Sequence, residues 1–163
     1  MTFSAIRIGR IECKTWMMLV LGAALVGGCN GTPQLLPNAD PNLRKDSVEF
    51  AADAAKRTYK ADAPRGGEIA GRAQVGSWSD VLEVANLSDT DWEDVEIWVN
   101  KKYVLHVPKL EKSSSGKLVH ATFYMLFDDS GHHFPTDNRK TRIEKVEIFK
   151  DGKMYDIKLQ TAD

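Results

Sequence analysis

The densest run of chemistry-bearing side chains is Asp128-Asp129-Ser130-Gly131-His132-His133, with Asp137 close behind. Imidazole and carboxylate groups are the ligands that zinc and related divalent ions take, so Asp128, His132 and His133 are the candidate metal ligands. Successive side chains of an extended segment point to opposite faces, so only one of the two histidines easily shares an ion with a given carboxylate. The same six residues also spell a polar turn between strands with solvated histidines, and on that reading no cofactor is expected. His106 and His120 fall inside strand-like runs. Asp89-Thr90-Asp91-Trp92-Glu93-Asp94 opens like a calcium loop. However, Asp94 stands where such a loop needs glycine, and Asn100 where it needs a bidentate glutamate. It reads as an acidic turn.

Other chemistries find little support. There is no Gly-x-Ser-x-Gly elbow, and Ser113-Ser114-Ser115-Gly116-Lys117 lacks the leading glycine and the strand-loop-helix setting of a phosphate loop. No pair of carboxylates is marked out for acid–base work, so no catalytic residue is assigned and an enzyme is not expected. Trp78, Trp92 and Trp98, with Tyr103 and Tyr124, offer ring faces on which a sugar could stack. Alternation places Trp98 opposite Val95, Ile97 and Val99, so Trp98, Trp92 and Tyr103 are the candidate ligand-binding residues. Packing in a core is the competing use of the same aromatics. Asn86-Leu87-Ser88 matches a glycosylation sequon and also makes a turn.

These residues must be positioned by a small domain. The chain has 163 residues, 42 % of them apolar and 28 % charged, which suits one folded domain with a tail. Twenty-two basic against 23 acidic residues give no whole-molecule field for nucleic acid. Two cysteines, Cys13 and Cys29, exclude a disulfide framework and a four-cysteine zinc site. Asp46 followed by Glu49 predicts a capped helix, with Val48, Ala52, Ala55 and Tyr59 on one stripe, extended by periodicity over 47–60. Pro64 and Gly66-Gly67 end it. Beyond it, short strands are expected over 68–75, 81–86, 95–99, 103–107, 118–127, 143–149 and 154–159. Asp151-Gly152 signals a hairpin between the last two. Pro108 stops its strand or puts it at an edge. About seven short strands joined by turns argue for an antiparallel sandwich.

The amino end has a different character. Arg7, Arg10 and Lys14 precede an apolar run from Trp16 to Val26. That run is too short to span a bilayer, which takes about 20 residues, but it suits a secretory signal. Val26-Gly27-Gly28-Cys29 follows directly, and it resembles the lipobox of bacterial lipoproteins. The resemblance covers the first 29 residues. It implies cleavage between Gly28 and Cys29, joining of the Cys29 thiol to diacylglycerol and acylation of the new amino group, palmitate being a usual chain. Two or three acyl chains hold a protein on a membrane where one does not. Residues 30–45, with Pro33, Pro37 and Pro41, read as a flexible tether.

A second resemblance covers about 80 residues. Val84-Ala85-Asn86-Leu87-Ser88-Asp89, Trp92, Val95, Val99-Asn100 and Tyr103, then Phe127 and Gly131 to Phe134, form a pattern similar to small immunoglobulin-like modules of uncharacterised bacterial envelope proteins, including planctomycete lipoproteins. It implies a fold and brings no catalytic residues. The organisation expected is a signal peptide over 1–28, a lipid-anchored tether over 29–46, a short amphipathic helix and connector over 47–65, and a mainly β, immunoglobulin-like sandwich of about seven strands over 66–163. The function expected is that of a non-catalytic binding or structural module of the cell envelope. Lipidated Cys29 would hold it on a membrane, facing the periplasm or the cell surface, where it would contact an envelope protein or glycan. A metal-dependent envelope enzyme using Asp128 to His133, or a carbohydrate-binding module using exposed tryptophans, is the alternative.

Overall fold

A computed structural model of the chain describes Asp40 and residues 43–75, 80–115, 117–136 and 142–161. The expected signal peptide, Gly28, Cys29 and most of the expected tether lie outside the described residues, as do Trp78 and Asp137.

The first element is a helix, α1, over Ser47–Ala54. Asp46 caps it as its sequence suggests: Asp46 Oδ1 accepts from the Glu49 amide at 2.8 Å, and Glu49 Oε2 accepts from the Asp46 amide at 2.9 Å. The helix is shorter than its periodicity predicts, and a different face is buried. Phe50 and Ala54 pack inward while Val48 is 68 % exposed. One phenylalanine removes more apolar area from water than a stripe of alanines, so Phe50 sets the rotation of the helix. The chain then runs without regular structure to Pro64.

The rest is mainly β. Among the described residues seven strands follow: β1 Arg65–Val75, β2 Val81–Asn86, β3 Trp92–Val99, β4 Tyr103–Leu110, β5 Val119–Thr122, β6 Val146–Lys150 and β7 Lys153–Thr161. They form one hydrogen-bonded sheet in the order β4-β3-β6-β7-β1-β2-β5. Bridges from Val104 to Phe127 and from Phe127 to His133 carry the β4 edge toward the chain leaving β5, so the sheet is nearly closed, like a barrel. The mainly β expectation and the strand number hold. In place of the two antiparallel sheets of the expected immunoglobulin-like sandwich, the strands make a single mixed sheet, in which β1 and β7 pair in parallel, with Ala73 opposite Leu159. Turn signals report only neighbouring, antiparallel strands. A pair joining the first and last strands leaves no turn to read.

Most of the core lies on one face of this sheet, while Trp98 and its partner Val104 are buried on the other. Val95, Ile97 and Val99 of β3 face the same way as their partners Val107, Leu105, Ile148 and Val146, all buried. Leu82, Val84 and Ala121 continue the layer on β2 and β5. The long strand expected over 118–127 breaks after Thr122 into a 3-10 turn over Phe123–Met125. Phe123, Met125 and Leu126 are all buried, which two-residue alternation does not allow for consecutive positions and a helical turn does. β4 runs through Pro108 and ends the strand order, the edge position that proline tolerates.

Candidate functional site

Asp128 is 3 % exposed and sits where the chain turns back after the 3-10 turn. Its Oδ1 accepts from the amides of His132 at 2.8 Å and Ser130 at 3.0 Å, and its Oδ2 faces Lys102 Nζ at 3.4 Å. The Asp128 amide donates to the His132 carbonyl at 2.9 Å, closing the turn. Burial alone would raise the Asp128 carboxyl. Donation from His132, the Lys102 ammonium and donation from Ser130 outweigh it and hold the carboxyl below its ordinary range. The side chain is thus the fastener of an Asx turn.

Only one of the two histidines stays near it. The His132 side chain is 79 % exposed, with Nδ1 3.5 Å from Asp128 Oδ1. His133 turns its Nδ1 to the Phe134 carbonyl at 2.8 Å and lies beside the rings of Tyr124 and Phe127. Among the described residues, no three His, Cys, Asp or Glu side chains converge as metal ligands. Asp91 of the acidic turn is also committed, to the Lys112 amide at 3.0 Å and Lys109 Nζ at 2.8 Å.

The aromatic candidates are in the interior. Trp92 is 3 %, Trp98 2 % and Tyr103 8 % exposed, so none of the three presents a free ring face for a sugar. Trp92 Nε1 donates to Ser88 Oγ at 2.9 Å. Asn86, the would-be sequon residue, is fully buried; it donates to the carbonyls of Thr90 and Leu110 and accepts from Ser88. Tyr103 packs edge-on to Phe134. Trp98 does lie on the face opposite Val95, Ile97 and Val99, as alternation predicts. Arg57, Tyr59 and Lys60 meet that face, with the ring of Tyr59 edge-on to Trp98 at 5.4 Å.

This covered face holds the polar constellation that sequence reasoning missed. Glu96 and Glu147 rise beside Trp98 from β3 and β6. Glu96 takes Lys60 at 2.6 Å, Arg57 at 3.6 Å and the indole of Trp98 at 2.9 Å. Glu147, fully buried, takes Arg65 at 2.5 Å, Lys145 at 2.9 Å and the Tyr59 hydroxyl at 2.8 Å. Burial pushes the Glu147 carboxyl up, but Lys145, Arg65 and Tyr59 together bring it below its ordinary range. At the rim, His106 Nε2 lies 2.7 Å from Asp94, and its Nδ1 lies 3.6 Å from Asp53 of α1. The sequence signals for this cluster are Tyr59, on the predicted helical stripe, and Trp98, a tryptophan on the polar side of a strand.

Among the described residues, no helix is long and apolar enough to cross a membrane. No family model, curated protein or solved structure matches the chain.

Proposed function

We propose that the protein is a lipid-anchored module of the bacterial cell envelope, held by acylated Cys29 and acting by binding rather than by catalysis. The observation that carries this reading is the order of segments at the amino end. A basic stretch, a short apolar run and Val26-Gly27-Gly28-Cys29 come first. A proline-containing stretch follows, and Leu43 is the first buried residue among those described. Such an order suits a domain standing off the membrane that its front end enters. Use of Asp128 to fasten a turn fits a module whose polar groups serve its architecture.

The experiment is a comparison of the parent with Cys29→Ser, expressed in a bacterial host with labelled palmitate. The parent is expected to take up label and to sediment with membranes, and the variant to lose both. A parent that takes up no label, or a variant that keeps it, would overturn the reading.

A further inference from the structure

Lys60 is held in a cage. Its ammonium lies 4.2 Å from the ring centroid of Phe149 and 5.8 Å from that of Trp98, and it pairs with Glu96 Oε2 at 2.6 Å. The Trp98 indole donates to that same oxygen at 2.9 Å, so the cage orients its own carboxylate. Two ring faces and one anion around a cation are the arrangement by which proteins recognise alkylammonium groups. The cage sits on rigid strands: Trp98 and Glu96 belong to β3, and Phe149 belongs to β6, opposite Glu96.

The occupant is held differently. Among the described residues, the backbone hydrogen bonds of residues 56–63 go to partners within 53–60, and none goes to the sheet. The segment is fastened to the sheet by side chains, namely Arg57 and Lys60 on Glu96 and Tyr59 on Glu147. The Lys60 side chain is 34 % exposed while Trp98 is 2 % exposed, so the cage is open to an outside group only once Lys60 leaves it. A basic, tyrosine-bearing peptide therefore already lies on this face, and it belongs to the same chain.

We propose that Trp98, Phe149 and Glu96 form an alkylammonium-binding cage that Lys60 fills from within the chain, and that accepts in exchange the lysine side chain of a partner polypeptide. The partner rests on the binding-module reading above; the cage rests on its own geometry. A tethered occupant competes at a high effective concentration, on the order of millimolar for a short flexible connection. External lysine thus competes poorly with the parent and well with a chain whose Lys60 is removed.

Thermal unfolding of the full chain, parent and Lys60→Ala, is measured with n-butylammonium chloride and with sodium chloride at equal ionic strength. It is repeated with a synthetic peptide spanning residues 56–62 and with the same peptide carrying Lys60→Met. Lys60→Ala is expected to lose a few degrees of Tm and to regain them with butylammonium and with the lysine peptide, while the parent barely responds. Butylammonium that does no more than sodium chloride overturns the cage. Butylammonium that rescues while the lysine peptide does no better than its methionine counterpart overturns the polypeptide partner. If neither Lys60→Ala nor the stem-preserving Lys60→Met folds, Lys60 is core and the proposal falls. Palmitate labelling reads the anchor and Tm reads the cage, so the two fail separately.

Discussion

Tyr59 and Glu147, 88 positions apart in the chain, are joined by a 2.8 Å hydrogen bond from the phenol hydroxyl to Oε2. The bond ties the irregular segment after α1 to the centre of the sheet. It also helps to keep a fully buried carboxylate charged, together with Arg65 and Lys145 on the other oxygen.

Removing that carboxylate should be costly but not ruinous. A buried charge stripped of its partner costs about 3–5 kcal/mol. Here the groups left behind are Arg65 and Lys145, 45 % and 39 % exposed, and both can turn to water. Glu147→Gln, which keeps the shape and one acceptor, should therefore cost about 1–2 kcal/mol, and Glu147→Ala about 3 kcal/mol with its added cavity. Urea midpoints at pH 7 test this. A Glu147→Gln as stable as the parent would mean that the ion pairs contribute nothing net.

The same carboxylate sets a direction for pH dependence. Glu147, Asp53 and Asp128 all have folded values below their ordinary ones. For Asp53, burial acts upward, and Arg57, with Lys45 and His106, more than reverses it. Groups lowered by folding contribute stability that is complete above their unfolded values and is lost as pH falls through the folded ones. Unfolding free energy should thus be flat from neutrality to about pH 5, then fall progressively below it, as the carboxylates of the unfolded chain begin to protonate. Glu147→Gln should show a shallower fall than the parent. Urea titrations at a series of pH values give both slopes, and equal slopes would remove Glu147 from the account.

How far the sequence reaches is clear from where each signal is stored. The capping box of Asp46 and Glu49 and the turn at Asp151-Gly152 are local, and both form as written. The alternation of β3 correctly put Trp98 on the opposite face from Val95. It said nothing of exposure, because what covers Trp98 is Tyr59, nearly forty positions earlier. The burial of Glu147 likewise depends on Arg65 and Tyr59, which no window around β6 contains. In the sequence Asp128 reads as chemistry because carboxylates beside histidines suggest a metal, whereas its backbone donors lie only two and four residues on. Local hydrogen bonding competes with any ligand for the same lone pairs.

That competition makes a distinct prediction for the turn. Asp128→Ala leaves the Ser130 and His132 amides without their acceptor and should cost about 1–3 kcal/mol. Asp128→Asn keeps a carbonyl oxygen for those amides and should cost less. His132→Ala, at an exposed side chain, should stay within about 0.5 kcal/mol of the parent. Chemical unfolding of the three variants gives the ranking. A His132→Ala as damaging as Asp128→Ala would show that the pair, rather than the backbone bonds, holds the turn.

Two hairpins of this sheet solve the same backbone problem with different residues. The turn between β6 and β7 has Asp151 at φ 50° and Gly152 at φ 70°; the turn between β3 and β4 has Asn100 at φ 51° and Lys101 at φ 58°. Positive φ at two successive positions is what primed hairpin turns require, with Asn or Asp first and Gly second. Asn100 is also needed for its side chain, which accepts from the Glu144 amide at 2.8 Å and donates to the Arg142 carbonyl at 2.8 Å. Lys101 has no such duty, and a residue with a Cβ is strained there by about 1–2 kcal/mol. Part of that gain is offset by the extra freedom glycine adds to the unfolded chain. Lys101→Gly should therefore stabilise the protein by about 0.5–1 kcal/mol, a net figure from those two terms. Gly152→Lys should cost a similar amount, since a Cβ at Gly152 meets nothing within 4 Å and only the backbone resists. Thermal melts of the two variants check both signs. If Lys101→Gly lowers Tm, the lysine at that corner is held by contacts that outweigh its strained backbone.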